Sequence, residues 1–216
     1  MPRQARTISA TNVYHAILRG VNKQQVFEDD EDYIRFLNVL RRQTQPDVDA
    51  QGQTFQPRCH VYAYCLMGNH VHLLLKEGSE TIGDIMKRIA SSYVYYYNHK
   101  YGRVGHLFQE QFKSQPVNDF SYFTTLLRYI HQNPLKAMLV DSIDEYEWSS
   151  WQEYNGTARQ GFCSTQVVLG RIPFADLKVL VETPLAEEDA NQFIDVDVRP
   201  TKSTYSDEEI WQLLSA

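Results

Sequence analysis

Gly68-Asn69-His70-Val71-His72-Leu73-Leu74-Leu75 is the stretch whose reading decides the fold. In a β-strand, residues i and i+2 face the same side. His70, His72 and Leu74 therefore share one face, and Val71, Leu73 and Leu75 share the other, toward a core. Just upstream, His60-Val61-Tyr62-Ala63-Tyr64-Cys65-Leu66-Met67 is rich in β-branched and aromatic residues and reads as a second strand. Gly68-Asn69 between the two suits a tight turn. The histidines thus stand at the mouth of a β-hairpin. Two imidazoles on one strand face are a ready pair of metal ligands. A structural or surface pair would look the same, so the choice turns on what else converges there.

Working outward, Asn12 to Arg19 alternates well enough for a first strand, which Gly20 ends. A polar connection with Lys23 leads to Asp29-Asp30-Glu31-Asp32, an acidic start that suits the positive end of a helix. Tyr33, Phe36, Leu37 and Leu40 follow at helical spacing, giving a helix over about 30–43. Residues 44–57 form a loop and the hairpin follows. A second helix covers Thr81 to Lys100, with Ile82, Ile85, Met86, Ile89, Tyr93 and Tyr96 or Tyr97 as its apolar stripe. The tyrosine cluster at 93 and 95–97 divides between core packing and stacking on nucleobases. Tyr101 to Gly105 is a turn holding Arg103. Residues 106–117 read as extended and include Lys113.

Asn118 or Asp119 caps the next helix. Phe120, Phe123, Leu126, Leu127 and Ile130 form its buried face, and it carries Arg128, Tyr129, His131 and Gln132. The residue before a proline disfavours the α conformation, so this helix is expected to stop at Asn133. Pro134 then opens a short helix over 135–140 that includes Lys136. Signals weaken beyond Asp141. Residues 182–204 read as a flexible acidic linker, and Tyr205 to Leu214 as a short terminal helix. The order of elements predicts an α+β fold: an antiparallel sheet covered by helices, a ferredoxin-like sandwich with an irregular C-terminal extension. The expected division is a domain over 1–156 and an acidic extension over 157–216.

Composition narrows the partners. The 216 residues carry a net charge of −6, which argues against nucleic acid until its distribution is considered. Residues 1–140 hold 16 Lys and Arg against 12 Asp and Glu, whereas residues 141–216 hold 5 against 15. All seven histidines lie in the first part. A locally basic surface for a phosphate backbone is therefore available, and the acidic end also serves solubility. No apolar run reaches the ~18 residues of a membrane span, and the start of the chain lacks the apolar core of a signal peptide. Three cysteines without zinc-site spacing read as reduced thiols of a cytoplasmic protein.

Tyr129 and Asn133 are four apart, so a helix places them on one face. If that face met the sheet beside His70 and His72, two imidazoles and an amide oxygen would be positioned to bind a divalent cation. The phenol would be positioned to attack a phosphate made electrophilic by that cation. Spacing leaves this convergence open. Asn133 also suits a cap for a following helix, and Tyr129 is one of 14 tyrosines.

At this point the residues resemble a known family. Tyr14-His15-Ala16-Ile17-Leu18-Arg19-Gly20, Leu66 to Leu75, Leu107 to Ser114 and Tyr129 to Ala137 match, in order and spacing, blocks of the single-tyrosine transposases of the HUH nuclease superfamily. The likeness is greatest to REP-associated tyrosine transposases, and Tyr146 to Ser150 extends it. The resemblance implies a single-stranded DNA endonuclease and strand transferase acting at hairpin-associated sites. Tyr129 would be the nucleophile, forming a 5′-phosphotyrosine link. His70 and His72 would hold a divalent cation, Mg²⁺ or Mn²⁺, with Asn133 at the position of a third ligand. Partners would be single-stranded or hairpin DNA, with Arg19, Lys23, Arg103, Lys113, Arg128 and Lys136 as backbone contacts. The expected location is the cytoplasm, at the nucleoid, and relatives occur as monomers and as homodimers. Gly68 and Gln111 depart from the family pattern, at a proline and a basic position, so a looser turn and a weakened phosphate contact are expected. Two other readings remain: a non-catalytic hairpin-binding regulator, and an unrelated metal hydrolase that recruits His15.

Overall fold

The computed structural model describes residues 7–48, 50–109 and 111–193. The terminal helix expected at Tyr205 to Leu214 lies outside these residues. Seven main elements follow in order: β1 (Val13–Arg19), α1 (Asp30–Thr44), β2 (Cys59–Met67), β3 (His70–Glu77), α2 (Ile82–Lys100), β4 (Lys113–Pro116) and α3 (Phe120–Lys136). The strands form one antiparallel sheet in the order β2-β3-β1-β4. β3 inserts between β1 and β2, as the ferredoxin-like arrangement requires.

Alternation along β3 sorts the two faces of the sheet. Val71, Leu73 and Leu75 pack in a core with α1 and α2, while Leu74 packs in a second core under α3. β1 obeys the same rule, with Tyr14, Ala16 and Leu18 in the first core and Val13 in the second. His15 and His72 lie on the α3 side. Register shifts in β2 between Val61 and Ala63, where a bulge lets Tyr62 and Ala63 both reach the second core. Tight caps set the helix starts. The Asp29 side chain accepts from Asp32 N at α1, Thr81 from Asp84 N at α2, and Asp119 from Tyr122 N at α3.

Three local expectations are corrected. The helix carrying Tyr129 does not stop at Asn133 but runs through Pro134 to Lys136. Pro134 removes one amide donor, so the Ile130 carbonyl loses its usual partner. Ala137 N donates to Asn133 O at 3.0 Å and Leu139 N to Pro134 O at 3.0 Å, which closes the end regardless. Second, the described part of the 182–204 segment is not a linker. It contains α-helical residues Glu187–Asn191, and Leu185 and Phe193 are buried in the second core. Trp151, Tyr154, Val168, Leu177 and Val181 join the same core. Third, the turn at Gly68 is not loose. Its carbonyl accepts from Val26 N at 2.8 Å and Phe27 N at 3.3 Å, and a Cβ there would meet Gln25 Oε1 at 2.3 Å.

Residues 148–150 cover the free edge of β2. Leu66 N donates to Trp148 O at 2.9 Å and Ser150 N to Tyr64 O at 3.0 Å. A covered edge no longer templates pairing with another chain.

Candidate active site

β3 delivers His70 and His72 side by side, with ring centroids 5.0 Å apart and planes at 87°. α3 crosses the same face and brings Tyr129 edge-on to His72, at 5.5 Å between centroids and 89°. Asn133 lies one turn further along α3. Its Nδ2 donates to the Tyr129 carbonyl at 2.9 Å, so the amide oxygen is its remaining acceptor for a ligand. The Lys136 ammonium sits 5.0 Å from the centroid of the Tyr129 ring.

His15 enters this site from β1. Its Nε2 lies 3.0 Å from His72 Nδ1, and the two rings stack at 5.3 Å. Both side chains are fully buried. Burial pushes the His15 imidazole down to about 3, and burial lowers His72 as well, with the neighbouring Arg19 guanidinium acting in the same direction. Neutral imidazoles keep the lone pair a metal needs. If His72 Nδ1–H donates to His15, ligation falls to His72 Nε2. His70 shows the same arrangement, since its Nδ1 lies 2.6 Å from Asn69 Oδ1 and ligation falls to Nε2. Among the described residues no cluster of three or more His, Cys, Asp or Glu is disposed to hold a metal. The donors on this face are two imidazoles and an amide. Such donors suit Mn²⁺ at least as well as Mg²⁺.

The basic residues separate into two groups. Arg19 is the cross-strand partner of His70, and Lys113 is that of Ile17, which in turn faces His72. Cross-strand partners share a face, so Arg19 and Lys113 lie on the histidine side. Lys23 is exposed, and its carbonyl accepts from Asn69 Nδ2 at 3.3 Å, beside His70. With Lys136, four of the six cations border the site. Arg103 sits elsewhere, bonded to Gln24 Oε1 at 3.0 Å and stacked over Tyr97 of α2. Arg128 donates to the carbonyls of Thr183, at 2.7 Å, and Pro184.

Phe193 has no counterpart in the sequence reading. Its ring lies 4.6 Å from that of Tyr129 and 6.1 Å from that of His15. The segment leading to it is fastened to α3. Gln132 Nε2 donates to Val181 O at 2.7 Å and Thr183 O at 2.6 Å, and its Oε1 accepts from Leu185 N at 3.1 Å. Gln115 Nε2 of β4 donates to Gln192 O at 3.2 Å. Only His15 carried a signal in the sequence, because residues 13, 15 and 17 of a strand share a face.

A family model described as IS200-like transposase matches residues 9–133, from four residues before β1 past Tyr129 to Asn133. The chain belongs to the IS200-like transposase family. Among solved structures, a REP-associated tyrosine transposase bound to a REP hairpin is similar over 75% of this chain and 90% of its own, at 13% identity and a TM-score of 0.54. At that identity the likeness bears on the fold alone. A transposase candidate from Deinococcus radiodurans R1 aligns over 73% of this chain and 99% of its own at 16% identity, with a TM-score of 0.37, too low to carry an argument. No curated protein matches the chain. No helix among the described residues of this transposase-family chain is long and apolar enough to cross a membrane.

Proposed function

We propose that this IS200-like family member cuts and rejoins single-stranded DNA at hairpin-associated sites through a 5′-phosphotyrosine intermediate. The observation that carries the reading is the edge-on approach of Tyr129 to His72 at 5.5 Å, with Asn133 one helical turn away. His70 Nε2, His72 Nε2 and Asn133 Oδ1 would hold a divalent cation. When bound, such a cation withdraws charge from the phosphate oxygens and favours attack at phosphorus.

The chain's own groups account for the rest. Tyr129 Oη attacks the scissile phosphorus and the P–O3′ bond breaks. The phenolic proton is passed to the leaving oxygen, giving a free 3′-hydroxyl and a strand held by its 5′ phosphate on tyrosine. Attack by an incoming 3′-hydroxyl reverses these steps, joins two strands and returns the proton to Tyr129. Lys136, 5.0 Å from the centroid of the Tyr129 ring, would hold that ring by a cation–π contact and place a positive charge beside the reacting phosphate. Arg19, Lys23 and Lys113 border the phosphate site and would position the strand. The REP hairpin bound by the structurally similar transposase supports hairpin DNA as the partner here too.

All four proposed groups come from one chain, so the reaction is assigned to a single subunit acting in cis. One observation favours the alternative of a hairpin-binding regulator that does not cut: Phe193 packs on the proposed nucleophile. Incubation with hairpin-bearing oligonucleotides and Mg²⁺ or Mn²⁺ decides between them. A covalent protein–DNA species is expected, and binding without any adduct would establish the regulator.

A further inference from the structure

A pocket of about 260 Å³ opens at the first turn of α3, away from Tyr129. Val13 and Tyr62 form its floor, Phe120 and Phe123 one wall, and Lys76 and Arg171 its rim. Phe120 and Phe123 are parallel, at 6.2 Å and 8°, and Tyr62 meets Phe123 edge-on at 5.4 Å. Phe120 is 45% exposed, an unusual state for a phenylalanine in a helix that otherwise covers the sheet. The Arg171 guanidinium stands 5.6 Å from the Phe120 centroid. Among the described residues, neither Lys76 nor Arg171 pairs with a carboxylate in the ion pairs present. Asp119, also at the rim, is occupied in capping α3 through Tyr122 N at 2.8 Å.

The pocket's position relates it to the site. Lys76 follows His70, His72 and Leu74 on one face of β3, four residues beyond His72, or about 13 Å along the strand. Phe120 precedes Tyr129 by nine residues of α3, again about 13 Å along the axis. The two elements thus carry pocket and site on one side of the sheet, separated by the span of a few nucleotides. The volume falls just under the ~300–1,000 Å³ of drug-sized ligand sites and suits one flat ring system, not a duplex.

We propose that this pocket takes a single unpaired nucleobase of the DNA strand whose phosphate is cut at Tyr129. The base stacks against Phe120, Arg171 rides over it as cation on π-face, and Lys76 meets the adjoining phosphate. Aromatic walls with a cationic rim that pairs with no carboxylate among the described residues are the combination that single strands require. The proposal rests on the single-strand nuclease reading but concerns a different set of residues.

The test uses the full chain carrying Tyr129→Phe, so that binding is read without cleavage. Affinity is measured for hairpin oligonucleotides with a single-stranded flank, and for the same oligonucleotides with an abasic site stepped along that flank. Phe120→Ala is expected to weaken binding about tenfold, the scale of one lost base–aromatic stack. One abasic position is expected to weaken binding by the same factor, with no further loss when combined with Phe120→Ala. Arg171→Ala, a surface change, is expected to give a smaller loss in the same direction. Equal affinity of Phe120→Ala and its parent for every oligonucleotide would overturn the pocket alone. A change in molar mass on Phe120→Ala with unaltered DNA binding would assign the pocket to a second copy of the chain, and also overturn it. No DNA binding by the parent would overturn both the pocket and the nuclease reading.

Discussion

The Phe193 ring packs on the Tyr129 ring at 4.6 Å, with 38° between their planes. Phe193 is 2% exposed and also touches His15 and Tyr122. The proposed nucleophile is therefore covered by a side chain from far along the sequence. Phe193→Ala removes that cover and leaves the proposed ligands His70, His72 and Asn133 in place. The initial rate of covalent adduct formation is expected to rise several-fold, measured on denaturing gels. An unchanged or slower rate would mean that Phe193 supports the tyrosine and does not obstruct it.

The proposed site, drawn from one chain, makes a complementation experiment informative. His70→Ala and Tyr129→Phe each lack one half of the chemistry. A mixture of the two is expected to form no adduct, because neither chain holds a whole site. Restored activity on mixing would show that tyrosine and histidines are shared between subunits.

Arg128 and Lys113 should respond differently to substitution. Arg128 spends its donors on the Thr183 and Pro184 carbonyls, whereas Lys113 is exposed on the histidine side of the sheet. Arg128→Ala is expected to cost roughly 1–2 kcal/mol of stability through those lost hydrogen bonds. The salt dependence of its DNA binding should stay as in the parent. Lys113→Ala should leave the melting temperature alone and lower the slope of log K against log salt by about one phosphate contact. The reverse pattern would place Arg128 on DNA.

Asp32 supplies a stability prediction remote from the site. Its carboxylate is fully buried and accepts from Glu28 N at 2.8 Å, Lys100 at 2.9 Å, Tyr101 at 2.8 Å and Tyr96 at 3.0 Å. Burial alone would raise its pKa, but the hydrogen bonds from Glu28 N, Lys100, Tyr101 and Tyr96 outweigh burial and hold it below the usual 3.8. A carboxyl with a lowered folded pKa contributes stability that is present above the unfolded value and is lost as pH falls through the folded one. Asp32→Asn is expected to cost roughly 2–3 kcal/mol near neutral pH. Its deficit relative to the parent should shrink below about pH 4. Denaturant titrations at pH 7 and pH 3 check this, and an equal deficit at both values would contradict it.

Periodicity made the sheet and its faces legible. Strict alternation in 70–75 placed His70, His72 and Leu74 opposite Val71, Leu73 and Leu75, and both faces proved to be buried cores. The helices at 30 and 119 announced themselves through acidic or Asp caps. Pro134 misled, because a proline near a helix end removes only one hydrogen bond and later amides close the turn. The tail was illegible for another reason. Leu185 and Phe193 stand in an acidic stretch past Pro184, where no sustained period marks them as buried. The segment is fastened by the side-chain amides of Gln132 and Gln115, and such long-range bonds leave no trace in local sequence.

The central claim is that Tyr129 attacks a phosphate held at His70 and His72. The most direct measurement compares the full chain with Tyr129→Phe on single-stranded hairpin oligonucleotides, labelled at either end, with and without Mg²⁺ or Mn²⁺. The substitution removes one buried-edge hydroxyl and no ring contact. The account predicts a metal-dependent adduct carrying the 3′ portion of the strand, joined through its 5′ phosphate. It also predicts that Tyr129→Phe abolishes the adduct while binding persists. An adduct that survives in Tyr129→Phe, or one that forms equally well with the metal chelated, would contradict it.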